Sequence, residues 1–114
     1  MNAMACVLRS LAIVAITGCP VAALAQTHDV PPELWDRPRT ASALLGQESV
    51  KRAVVAALAQ PGAQLVIHHG AGQEPLLQAE ELRSWLGALA IDTRRIVLRS
   101  DRAAGAALKI EIVP

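Results

Sequence analysis

The chain has 114 residues, of which 53% are hydrophobic and 2% aromatic, with a formal net charge of +1. Twenty-two alanines and two tryptophans, with no Phe or Tyr, leave Leu, Ile, Val and Ala to build the core. A chain this short has little spare stability for a large catalytic cleft, and one this neutral offers no long-range steering toward nucleic acid.

Residues 1–25 read as a secretory signal peptide. A short start ending in Arg9 precedes the apolar run Leu11 to Ile16, which Gly18 and Pro20 break, and Ala23 and Ala25 supply the A-x-A pattern for cleavage before Gln26. The apolar run is too short to span a bilayer. A competing reading takes Ile16-Thr17-Gly18-Cys19 as a lipobox, with Cys19 lipidated and the protein anchored to a membrane. Both cysteines, Cys6 and Cys19, lie in this region, so cleavage before Gln26 leaves a periplasmic chain of 89 residues with no thiol or disulfide. Removing Arg9 makes that chain formally neutral, and the small cluster Arg94, Arg95, Arg99 and Arg102 does not alter the exclusion of nucleic acid.

Pro31, Pro32 and Pro38 among charged residues mark 26–39 as a linker, with Trp35 as a ring anchored on the domain surface. The domain itself is expected over 40–114. Thr40 to Leu45 reads as a weak first strand. A first helix follows from about Gln47 to Gln60, with Val50, Val54 and Leu58 on an apolar stripe beside Ala53 and Ala57, and Pro61-Gly62 stops it. Leu65-Val66-Ile67 is a continuous apolar strand, which implies cover on both faces, and it runs into His68, His69 and the loop Gly70-Ala71-Gly72.

The second helix has Ala79, Leu82, Leu86 and Leu89 on one face, Trp85 beside them, Glu80, Glu81 and Arg83 outward, and Pro75 in its first turn. Strands at Arg95 to Arg99 and at Leu108 to Val113 complete the set, the last alternating Leu108, Ile110 and Ile112 inward with Lys109 and Glu111 outward. The segment Ser100 to Ala106 suggests a hairpin between them. The sum is an α+β fold, a small mixed β-sheet with two helices packed on one face, in the order β-α-β-α-β-β.

The pair His68-His69 before a glycine loop is the most prominent candidate for chemistry. Adjacent strand residues point to opposite faces, so the pair does not converge on one ion, and no further donors are placed by spacing. No metal and no cofactor is expected. The glycines Gly70 and Gly72 lack the third glycine and the acid of a nucleotide fingerprint, and no G-x-S-x-G elbow is present, which disfavours an enzyme. Arg95 and Arg99 fit a sheet edge protected by charge.

The stretch Ala79-Glu80-Glu81-Leu82-Arg83-Ser84-Trp85-Leu86-Gly87-Ala88-Leu89-Ala90-Ile91-Asp92-Thr93-Arg94-Arg95-Ile96 resembles the segment of OmpA-like domains in which a helix R-A-x-x-V-x-x-x-L leads through a Gly-Ile turn into a strand. Gln60-Pro61-Gly62, the strand Gln64 to Ile67, and the ending Lys109-Ile110-Glu111-Ile112-Val113, similar to the family's N-R-R-V-E-I, extend the resemblance over residues 40–113. It implies a peptidoglycan-binding scaffold that uses an aspartate in a G-H-T-D-like loop and an arginine in an N-x-x-L-S-x-x-R-A helix start. Here the loop reads His68-His69-Gly70-Ala71-Gly72 without the aspartate, and Gln78 stands where the arginine belongs. Charge-assisted bonds worth about 1.5 to 3 kcal/mol each are thereby missing.

The function expected is a non-enzymatic binding or accessory module of the cell envelope, whose partner is peptidoglycan or an envelope protein. His68, His69, Gly70 and Gln78 are the candidate ligand-binding residues. Two alternatives stand beside it: a peptidoglycan binder that uses those replacement residues, and a small metal-binding or hydrolytic protein centred on His68 and His69.

Overall fold

The computed structural model describes residues 25–114. The expected lipobox and all of the expected signal peptide but Ala25 lie outside the described residues. Four strands, β1 (Gln26–Asp29), β2 (Gln64–Gly70), β3 (Ile96–Arg102) and β4 (Lys109–Val113), form one mixed sheet in the spatial order β1-β4-β2-β3. β3 runs parallel to β2, while β4 is antiparallel to both β2 and β1. The helices are α1 (Ala41–Leu45), α2 (Glu48–Ala59) and α3 (Gln73–Ala88), with 3-10 turns at Pro32–Asp36 and Thr93–Arg95.

Apolar periodicity accounts for the layers. On α2 the residues Val50, Ala53, Val54 and Ala57 are buried, and on α3 the residues Ala79, Leu82 and Leu86. They meet Leu65 and Ile67 of β2, Ile96 of β3, and Ile110 and Ile112 of β4 in a single core cluster. The strand at 64–67 lies beside that at 96–99, and α2 and α3 both rest on one face, as the sequence led us to expect of the helices. Leu58, expected on the apolar stripe, is 48% exposed, because the buried arc of α2 is narrow and its alanines carry half of it.

Three further expectations are corrected. Residues 26–39 are no linker: β1 pairs with β4, the Val30 amide donates to Leu108 O at 2.9 Å, and Val30 and Leu34 are 1% and 0% exposed. Pro32 opens a 3-10 turn, where its fixed φ and missing donor cost nothing, so proline here organises the chain rather than extending it. Thr40 to Leu45 is helical, since the Thr40 hydroxyl caps the turn by accepting from the Ala43 amide at 3.0 Å and alanine favours helix over strand. No hairpin joins the last two strands, because β4 crosses to the other side of β2 and the two are not neighbours.

Side-chain bonds then lock the layers. The Arg95 guanidinium donates to Ala63 O, Ala57 O and Gln60 O at 2.8, 3.0 and 2.7 Å, so a cation sits on the carbonyl end of α2, where the helix dipole favours it. Arg95 is therefore a helix cap, not a strand residue of the sheet edge. Arg39 Nε donates to Glu81 Oε2 at 2.9 Å, Arg39 Nη2 to Oε1 at 3.3 Å, and the guanidinium stands 5.5 Å above the Trp35 ring. Trp85 Nε1 reaches the same carboxylate at 3.3 Å, so both tryptophans and one ion pair clasp the N-terminal segment onto α3.

Candidate functional site on the open sheet face

Strand alternation sends Leu65, Ile67 and His69 into the helix layer and Val66 and His68 to the opposite face. No helix among the described residues covers that second face, which corrects the expectation of cover on both sides. Val66 is nevertheless 3% exposed; it is flanked in register by Val97 and Glu111, so neighbouring side chains of the sheet itself do the covering.

His68 is the centre of this face. Its Nδ1 lies 2.8 and 2.9 Å from the two oxygens of Asp101, and its Nε2 lies 2.8 Å from Glu111 Oε1. The ring is only 16% exposed, against 47% for Asp101 and 28% for Glu111. A neutral imidazole has one N–H, so both contacts are hydrogen bonds only when the ring carries two protons. The bond from His68 holds the Asp101 carboxyl below its ordinary range, with smaller help from the charges of His68 and Arg99. A shallow hollow of 490 Å³ adjoins the ring, lined also by Thr27, Arg102 and Lys109.

The other candidate residues lie elsewhere. His69 is 5% exposed on the helix side, with Nδ1–H donating to Gly70 O at 2.8 Å. Gly70 is buried at the end of β2, where an added Cβ would stand 3.1 Å from Ala103 O, so the chain after β3 packs directly on its backbone. Gln78 lines a different groove, of 530 Å³, between α3, the 3-10 turn at 32–36 and residues 105–108, together with Trp35, Arg39, Glu74 and Glu81. The four residues thus do not form one site. Sequence reasoning missed Asp101 and Glu111, 33 and 43 residues from His68. The one signal available was parity, since Glu111 alternates outward on β4 and His68 has the non-core parity on β2.

Among the described residues no group of three or more His, Cys, Asp and Glu side chains is arranged to hold a metal ion. The physical reason at His68 is that each ring nitrogen already faces a carboxylate. Among the described residues two buried side-chain polar atoms lack partners, His28 Nε2 on β1 and Arg102 Nε on β3. Burial, and then the nearby Arg52 charge, lowers the His28 pKa. No described helix is long and apolar enough to cross a membrane.

Fold and site together define a small two-layer α+β domain with one covered and one ionic sheet face. Compared with known proteins, the chain matches no family model, no curated protein and no solved structure.

Proposed function

We propose that this protein is an exported, non-enzymatic module of the cell envelope on an OmpA-like scaffold, which presents a surface to an envelope protein and does not use standard diaminopimelate recognition. Its place is the periplasm, or the membrane surface if Cys19 is lipidated. Two observations support the scaffold: with the one-turn helix α1 and the 3-10 turns set aside, the elements follow one another as β1, α2, β2, α3, β3, β4, and α3 ends through Ala90-Ile91 into the turn before β3.

The observation that carries the functional reading is the state of the groove around Gln78. Arg39 is the one guanidinium among its described lining residues, and all three of its nitrogens are engaged, by Glu81, Trp35 O and Arg37 O. Asp36 and Glu74 add negative charge to the same walls. A peptide carboxylate entering there would meet repulsion and no free cation, whereas charge-assisted pairing is what such recognition requires. The ionic open face remains as the surface on offer.

Sedimentation with purified cell-wall sacculi across about pH 5 to 8 tests the reading. The protein is expected to stay in the supernatant. Co-pelleting that is abolished by Gln78→Ala would overturn the proposal in favour of peptidoglycan binding.

A further inference from the structure

The ladder between β2 and β3 pairs His68 with Arg99 and His69 with Ser100, then jumps to Gly70 with Arg102. Asp101 is therefore the extra residue of a bulge. A bulged residue gives up its place in the ladder, and its side chain is re-aimed. Here the carboxylate turns onto His68 Nδ1, while Nε2 of the same ring holds Glu111 of β4. One imidazole thereby ties together β3 and β4, which lie on opposite sides of β2 and do not pair with each other.

We infer that His68 is a proton-operated strap. With protons on both nitrogens it clamps the bulge of β3 to β2 and β4; when one proton leaves to solvent, it releases Asp101 and loosens the connection from Asp101 to Ala107. The Asp101 arm is the one that opens, because that carboxylate is 47% exposed and water replaces the lost bond there more readily than at Glu111, 28% exposed.

The rest of the face leaves the decision to this ring. Thr27 of β1 adds no charge, and Asp29 of β1 is in register with Lys109 of β4. From β3 come Arg99 and Arg102, so three cations stand against Asp29, Asp101 and Glu111, and the His68 proton tips an otherwise balanced set. The helices lie on the other face. The connection that is released seats Ala103 against Gly70 and supplies Gly105, Ala106 and Ala107 to the wall of the α3 groove, so loosening it alters that groove too.

Amide hydrogen exchange on the purified protein at about pH 5.5 and about pH 8.5, expressed as protection relative to intrinsic rates, tests the strap. Protection of the Ser100–Ala107 amides is expected to fall about tenfold at the higher pH, the loss of one charge-assisted bond, while Ile110 and Ile112 hold theirs. His68→Gln, which carries no titrating proton, and Asp101→Asn should each abolish the fall. Equal protection at both pH values in the unaltered protein would overturn the inference. So would a fall that persists in either variant, since it would then belong to His28, His69 or another group.

Discussion

Along β4 the side chains of Ile110 and Ile112 are 0% and 1% exposed beneath the helices, whereas Lys109, Glu111 and Val113, each one residue away, are half-buried on a face over which no described element lies. The covered face is held by apolar burial, which is non-directional and tolerates a core of Leu, Ile, Val and Ala with hardly an aromatic ring. The open face is held by a few directed contacts through His68. The contrast teaches where change is costly and where it is free: shape fixes one side of the sheet, and charge and protons occupy the other.

The largest effect should come from testing how far the covered layer extends. Leu34→Ala lies in the segment whose prolines suggest a linker, yet the residue is 0% exposed, so the account expects a loss of about 2 to 5 kcal/mol in urea unfolding, comparable to a core leucine of α3. Arg99→Ser on the open face should stay within about 0.5 kcal/mol. Equal costs for the two would erase the distinction between the faces.

A smaller effect sharpens the comparison at the edge of the covered layer. The Arg39 bond, followed by the Trp85 bond and the Arg39 charge, holds the Glu81 carboxyl below its ordinary range against the opposing effect of burial. A carboxyl whose folded pKa is depressed stabilises the fold above its unfolded pKa, and that contribution is lost as pH falls through the folded value. Acid titration of stability should therefore show a shallower acid-side loss for Glu81→Gln than for the unaltered protein. Asp101 obeys the same sign through His68. Asp92, drawn down to about 2 by its bonds to Arg94, keeps its charge to still lower pH.

Much of the covered layer was legible in the sequence. The 3.6-residue spacing of α2 and α3 and the alternation Leu108, Ile110, Ile112 put the core residues other than the exposed Leu58 on the correct faces, because burial imposes those periods directly. β1 was not legible, since Gln26-Thr27-His28-Asp29 has no apolar alternation and owes its strand to the pairing partner β4. Prolines 31 and 32 masked the 3-10 turn that buries Leu34. At the site, sequence placed His68 and His69 on opposite faces, but the partners of His68 depend on which strands flank β2. The expected hairpin misplaced β4, and the bulge at Asp101 has no mark in local sequence.

The claim on which the rest depends is that one face of the sheet is left uncovered by the described residues 25–114. A soluble paramagnetic agent added to the purified protein reads this directly through the broadening of side-chain NMR signals. The account predicts strong broadening of the methyl groups of Val113 on β4 and Thr27 on the neighbouring β1 and little at Ile110 and Ile112, an alternation along β4 itself. Equal protection of both sets would contradict it, for it would mean that a second layer covers the face that His68 occupies.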